Sequence, residues 1–401
     1  MPSNEKTKPQ LDYDPVHFLR CHSKKNDASD VQTQVWQCAF EPNIKEKQKT
    51  TSMVATCGGN SVCFIDVKTG NIPLKYYAKD VREMLYALAW TTNGKYTFLV
   101  TGGIRYTIHF IHPAEGIAFF CKTIKVTKYK NHINSLLFHP KHWNLLICGG
   151  SHGEIHICNI GNPKPPQYEM DFNVMQSFST NSEVFSMSFC PVNHILLTGC
   201  NDGLQAWCFP DPIEDINQPI PVTCKKLELP ARSGGGGADT DTQDLVDSVE
   251  VVGDGVVATK CALHGAIYLW NLTDTLARQS DSPAVKPTHV LRWSDTDNYF
   301  MFIGVQAEAG LLCCGDDKGM LWLYDLEQLS PPDPQTHKAV QPSTLLPWPE
   351  LTDRYTEKKR KLSVETYDIV IDKVTLSSDR EYIVAVTNNN MVCIWKQVIT
   401  F

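Results

Sequence analysis

Residues 299–327 read YFMFIGVQAEAGLLCCGDDKGMLWLYDLE. The spacing predicts three short strands: Tyr299–Gly304, Gly310–Cys314 and Met320–Leu326, the last two joined by the turn Gly315-Asp316-Asp317-Lys318-Gly319. Glycine supplies positive φ, and aspartate bonds its own backbone, so this turn chemistry suits a tight hairpin. The flanking runs are rich in Leu, Cys, Trp and Tyr, the composition of strands buried on both faces. After the turn, the strand closes on Leu323-Tyr324-Asp325-Leu326.

The same pattern recurs along the chain. Val35–Phe40, Met53–Gly58 and Ser61–Val67 form a first copy; Leu85–Trp90, Thr97–Thr101 and Thr107–Ile111 a second; Ile133–Phe138, Asn144–Cys148 and Glu154–Ile160 a third. A fourth covers Val184–Phe209, a fifth about Leu245–Leu272, and a seventh about Ile371–Gln397. A turn followed by an apolar strand that ends in Tyr-Asp or Trp is the ending of a WD repeat. Starts lie roughly fifty to seventy residues apart, longer than the ~40–45 of that unit, which leaves room for a fourth, outer strand in each connection. The fold expected is therefore all-β, a seven-bladed WD40 propeller. The last copy has no outer strand after it. Val16–His22 is the spare strand that would close the ring, with 1–15 as a flexible lead and 16–401 as the propeller. Ala231–Thr242 (ARSGGGGADTDT) reads as a flexible loop. A second loop, about 330–362, is Pro-rich and then basic; Lys358-Lys359-Arg360-Lys361 reads either as a nuclear-localisation signal or as a solvated charge run.

Composition narrows the function. Over 401 residues the chain is 42% hydrophobic and 20% charged, an ordinary globular balance. No apolar run reaches the ~18 residues of a membrane span, and the first ten residues are too polar for a signal peptide. The net charge of −7 argues against gripping nucleic acid through a basic face, and suits a basic partner such as a histone tail. Fifteen cysteines are scattered through the strands without a C-x-x-C pair. That pattern argues against zinc and for small buried hydrophobes in a reducing compartment. No nucleophile elbow, phosphate loop or paired-carboxylate motif is present, so neither catalysis nor a cofactor is expected.

The inner strands carry a positional signal. Trp36, Tyr86 and Phe185 open their strands at one place, Tyr299 and Phe300 open the sixth, and Asn134 and Asp372 hold the place in the third and seventh. Equivalent positions of a propeller project towards one mouth of its channel. Blades six, seven, one and two are ring neighbours, so Tyr299, Phe300, Asp372, Trp36 and Tyr86 are expected to converge. Aromatic faces around a small cavity favour a quaternary ammonium, each offering roughly 0.5–2 kcal/mol. Asp295, Asp297 and Asp372 would add attraction at the rim for a basic peptide. The competing expectation is that the rings simply pack blade against blade.

At VHFLRCHSKKND, QVWQCAFEP, ATCGGNSVCFIDVKTG and CGDDKGMLWLYDL the chain resembles the WD domain of the leucine-rich repeat and WD repeat-containing protein 1 family, the origin recognition complex-associated proteins. At LYALAWT, INSLLFHPKHWNLL and YFMF it more distantly resembles the propeller subunit of Polycomb repressive complex 2, the embryonic ectoderm development protein. That subunit holds trimethyl-lysine in an aromatic cage, and the resemblance places the cage on Trp36, Tyr86, Tyr299 and Phe300. An arginine of that subunit falls about at Asp372, which implies different peptide flanks. The first resemblance implies a nuclear protein of heterochromatin, centromeres and telomeres. It would associate with the origin recognition complex, act in replication initiation and bind repressive trimethyl-lysine on histone H3 and H4 tails. Two rivals remain: a scaffold for origin recognition complex subunits without methyl-lysine reading, and a Polycomb-type methyltransferase subunit.

Overall fold

The computed structural model describes residues 11–24, 27, 29–124, 131–230, 245–330, 339–349 and 369–398. Each expected three-strand copy gains an outer strand, giving seven antiparallel four-stranded sheets. The inner strands are Val35–Pro42, Leu85–Thr92, Ile133–Phe138, Val184–Cys190, Val246–Gly253, Gly304–Gln306 and Ile371–Leu376 in blades one to seven. Outer strands such as Leu74–Tyr77, Ile117–Thr123 and Thr223–Leu227 are the unmatched sequence between copies. Thr344–Pro347 is the outer strand of blade six, so the loop expected at about 330–362 is interrupted by regular structure. Residues 231–244 and 350–368, with the Gly-rich stretch and Lys358–Lys361, lie outside the described residues.

The ring is closed by the chain's beginning. Tyr13–Leu19 pairs with Val392–Gln397, from Tyr13 opposite Gln397 to Leu19 opposite Val392. This strand starts and ends three residues before the expected Val16–His22. Two contacts explain the shift. The Tyr13 ring is buried and its hydroxyl donates to the Arg380 carbonyl at 2.8 Å. His22 is drawn into blade one, where its ring nitrogens meet Ser61 Oγ at 2.9 Å and Thr56 Oγ1 at 2.8 Å. Pro15 is tolerated because an outermost strand needs no second ladder, and the register shifts between Pro15 and His17.

The core lies between blades. Leu311, Cys313, Leu323, Ile371, Val374 and Trp395 form one such layer between blades six and seven. Packing is close enough that a Cβ on Gly315 would stand 2.3 Å from Ile371 Cβ, which explains the glycine that opens the GDDKG turn. Gly319 ends the turn at φ +74°, a conformation that only glycine adopts without strain. Twelve of the fifteen cysteines are buried in these layers.

The opening stretch departs from its expected course. Of the predicted Tyr299–Gly304 strand only Gly304 is regular, as the first residue of Gly304–Gln306, and residues 293–303 form an irregular segment with one isolated bridge, Phe302 to Lys373. Its backbone is satisfied by the two flanking blades. Phe300 N–H donates to Asp247 Oδ2 at 3.0 Å, Ile303 N–H to Ser248 Oγ at 3.0 Å, and Phe302 N–H to the Asp372 carbonyl at 2.7 Å. Strand pairing within the blade was replaced by pinning from outside.

Candidate functional site

Six inner strands share one irregularity at their second residue. The register slips by one between Val35 and Gln37, Leu85 and Ala87, Ile133 and Ser135, Val184 and Ser186, Val246 and Ser248, and Ile371 and Lys373. Such a bulge leaves one residue out of the ladder and re-aims its side chain. The residues so released are Trp36, Tyr86, Asn134, Phe185, Asp247 and Asp372. Counting back from the Gly304–Cys313 pair puts Phe302 in the same place in blade six. The positional signal in the sequence was thus a row of bulges, with Phe302 rather than Tyr299 or Phe300 as the sixth member.

A pocket of about 170 Å3 sits at this mouth, lined by Trp36, Tyr86, His132, Asn134, Glu183, Phe185, Phe300 and Phe302. It has two tiers. Trp36, Tyr86, Asn134, Phe185 and Phe302 are bulge residues. His132, Glu183 and Phe300 each stand two positions before the bulge residue of their own blade. Trp36 and Tyr86 meet edge to face, with centroids 5.2 Å apart and planes at 79°. Tyr86 continues to the His132 ring at 6.0 Å. Opposite them, Phe300 lies 5.1 Å from Phe185 and 4.6 Å from Tyr299. Phe185 and Phe302 are nearly fully buried and make the floor, while Trp36, Tyr86 and Phe300 are half-buried and make the walls.

Of the four expected cage residues, Trp36, Tyr86 and Phe300 line this pocket together. Tyr299, 43% exposed, does not line it but touches two rings that do, Phe300 at 4.6 Å and Phe185 at 6.5 Å. Blade four supplies Phe185 and Glu183, although the expected convergence ran only from blade six to blade two. Phe300 crosses that gap because its backbone has φ +68°, held there by Asp247. Asp247 is itself buried and paired with the buried Lys260, whose ammonium also lies 4.4 Å over the Trp293 ring. Burial raises the Asp247 carboxyl, while Lys260 and the Phe300 N–H pull the other way.

The acidic groups are not where the sequence suggested. Asp372 is only 2% exposed; burial lifts its carboxyl well above the usual range, against a single stabilising bond from Gln34 Nε2 at 2.8 Å. It is a buried acid whose charged form burial disfavours, not a solvated rim group. Asp295 and Asp297 are exposed, and Asp295 borders a separate cleft with Arg292, Trp293, Lys318 and Trp322 between blades five and six. The carboxyl at the pocket is Glu183. Burial raises its pKa, and Asn134 Nδ2 donates to Oε1 at 2.8 Å. Sequence reasoning aligned Phe185 with Trp36 and Tyr86 but left it out of the cage, and it missed His132, Glu183 and Phe302. The available signal was the spacing of two between Phe300 and Phe302, repeated in His132/Asn134 and Glu183/Phe185.

One cluster carries metal-ligand chemistry among the described residues: Cys21, His22 and Cys63, with donor atoms within 4.8 Å of one another. Both His22 nitrogens already face hydroxyls, so the ring serves as a tie between the N-terminal segment and blade one.

Seven WD blades around an aromatic-lined channel mouth define the class. The chain belongs to the family described as leucine-rich repeat and WD repeat-containing protein 1, WD domain, whose profile matches residues 5–398. It is 30% identical to the mouse protein of that name, across 96% of this chain and 58% of that protein. With the human protein it shares 28% across 97% of this chain and 58% of the relative. The chain thus spans a little over half the length of the curated relatives it matches. Polycomb protein esc of Drosophila melanogaster is 23% identical across 78% of this chain and 73% of its own length. Among solved structures, a chain of "Structure of ctPRC2 in complex with H3K27me3 and H3K27M" matches with a TM-score of 0.66 at 12% identity, covering 96% of this chain and 98% of that one. At that identity the likeness concerns the fold.

Proposed function

We propose that this propeller is a non-enzymatic chromatin reader. Its channel mouth binds a trimethyl-lysine side chain of a histone H3 or H4 tail, and it helps to recruit or hold the origin recognition complex on repressed chromatin in the nucleus, at heterochromatin, centromeres and telomeres. The observation that carries this reading is the shared pocket of Trp36, Tyr86, Phe185, Phe300 and Phe302 beside Glu183. Rings facing one cavity of this size favour a soft cation, and a methylated ammonium loses less hydration on entry than a free one. Glu183 adds a compensating charge. The likeness to a propeller solved with H3K27me3 supports the same ligand class. Tyr299 would cover the bound chain from outside.

The test is a calorimetric titration of H3 tail peptides, trimethylated and unmethylated at the lysines of their Ala-Arg-Lys-Ser motifs. Tighter binding of a trimethylated form that disappears in Trp36→Ala is expected. Equal affinity for all methylation states, or an unchanged affinity in Trp36→Ala, would sink the reader. A second reading is favoured by the burial of Phe185 and Phe302: the rings act as packing, and the propeller is a scaffold for origin recognition complex subunits. There, methylation state would not matter and Trp36→Ala would lower thermal stability instead. For a Polycomb-type methyltransferase subunit, co-purification with the enzyme is the discriminating result.

A further inference from the structure

Blade two carries a nucleophile constellation away from the pocket. Cys121, on the exposed outer strand Ile117–Thr123, is paired across the ladder with His109. Its Sγ lies 3.3 Å from His109 Nδ1. The other nitrogen, Nε2, lies 3.7 Å from Glu83 Oε2. Glu83 is nearly fully buried, and its second oxygen accepts the Arg105 N–H at 3.1 Å, which fixes its direction. From blade one the Tyr76 hydroxyl stands 3.0 Å from His109 Nδ1 and 3.8 Å from Cys121 Sγ. The order in space is thiol, imidazole, carboxylate, with a phenol at the thiol–imidazole contact.

We propose that Cys121 is a reactive thiol, held as a thiolate against the His109 imidazolium and open to oxidation by hydrogen peroxide. Three facts make this a built site rather than a stray surface cysteine. First, an imidazolium donates from both nitrogens, and each here faces an anion or a potential one, Cys121 on one side and Glu83 on the other. Secondly, burial works against charge on His109, yet its bond to Cys121 and the carboxylate of Glu83 at 3.7 Å outweigh burial and hold it at about 9. Burial likewise pushes the Cys121 thiol up, but His109, the Tyr76 hydroxyl and the nearby Lys79 bring it below the usual range. Thirdly, the molecule contains its own control. Cys224 is also exposed, on the outer strand of blade four, but burial of its sulfur and the neighbouring Cys208 push it up to about 11.

The chemistry balances without a further group. The Cys121 thiolate attacks one peroxide oxygen, the S–O bond forms and the O–O bond breaks. Sulfur loses two electrons to become a sulfenic acid, and the departing hydroxide takes the His109 proton and leaves as water. Attack needs the thiolate, which an unperturbed cysteine supplies at a few per cent at pH 7. The Glu83 carboxylate stabilises the charged imidazole before transfer, as an orienting group.

The full chain, reduced, is pulsed with limiting iodoacetamide at pH 7, quenched, digested and read by mass spectrometry. Cys121 is expected to label at least about ten times faster than Cys224. In His109→Gln the Cys121 rate should fall towards that of Cys224 while the circular dichroism stays that of wild type. A dimedone adduct at Cys121 after peroxide is the expected second readout. Labelling of Cys121 no faster than Cys224 in the wild-type protein overturns the proposal, and that arm needs no variant to fold. So does an unchanged Cys121 rate in a folded His109→Gln, or a peroxide-treated protein without the adduct.

Discussion

The two walls of the channel mouth reach similar geometry by opposite means. Trp36 and Tyr86 stand on regular inner strands, released by bulges and held by the ladders on either side. Phe300 stands on an irregular segment with φ +68°, fixed by a bond to Asp247 in the preceding blade, and Asp247 is fixed by buried Lys260. The first wall is part of the fold's repeating architecture. The second depends on a buried polar network, which is stable when complete and costly when broken. If the mouth binds as proposed, damage to either wall would weaken binding, but only the second would couple binding strongly to stability.

The sharpest way to break the comparison is Asp247→Ala. It leaves the Lys260 ammonium buried without its partner and removes the Phe300 anchor, so unfolding should become easier by about 3–5 kcal/mol. Denaturant titration reads this, and a loss under 1 kcal/mol would show that blade six is held by packing alone. Trp36→Ala should act the other way round. Peptide affinity should fall at least about ten-fold, from cation–π loss and opened cavity, with a thermal midpoint close to wild type. A collapse of the midpoint would assign Trp36 to the core.

Asp372→Asn sharpens the account of the buried acid. Because burial raises the folded-state pKa of Asp372, the native protein binds its proton more tightly than the unfolded chain does. That contribution is present below the ordinary carboxylate pKa and is lost as pH rises through the raised folded value. Asp372→Asn should remove this fall, so its stability relative to wild type should increase from pH 4 to pH 7; a parallel pH profile would place a charge there after all. The smallest effect is expected at Glu183, whose pKa is raised by burial. Affinity for a trimethylated peptide should weaken a few-fold as pH falls from 7 towards 5, because protonation removes the charge facing the cation. In Glu183→Gln that pH dependence should be flat, and an identical slope would exclude Glu183 from the site.

The repeating parts of the molecule were legible because repetition averages out local ambiguity. The GDDKG turn, its counterparts at Ser151–Gly153 and Asn201–Gly203, and the aromatic endings at Tyr324, Trp207 and Trp395 together required a propeller and a spare strand to close it. The placement of Trp36 and Tyr86 at one mouth followed from the same alignment. What stayed hidden were features set by contacts between blades. Alternation in YFMFIG reads as a strand, yet the segment's hydrogen bonds go to Asp247, Ser248 and Asp372 in neighbouring blades, which no local pattern encodes. Asp372 looked like a rim charge because an aspartate is usually solvated; only its place beside Gln34 shows it to be buried, where desolvation raises its pKa. Phe185 was visible in the alignment but was separated from blade six on the ring, and it joins the pocket because Phe300 reaches across.

The central claim is that the rings of the mouth hold a positive charge, not only a shape. A titration of one H3 peptide in two forms tests it most directly: trimethyl-lysine, and its uncharged tert-butyl isostere of the same size. The account predicts that the charged form binds at least about ten-fold tighter, a difference of about 1.4 kcal/mol and within the range of one or two cation–π contacts. Equal affinities would contradict it, and would leave the mouth as an apolar recess filled by shape alone.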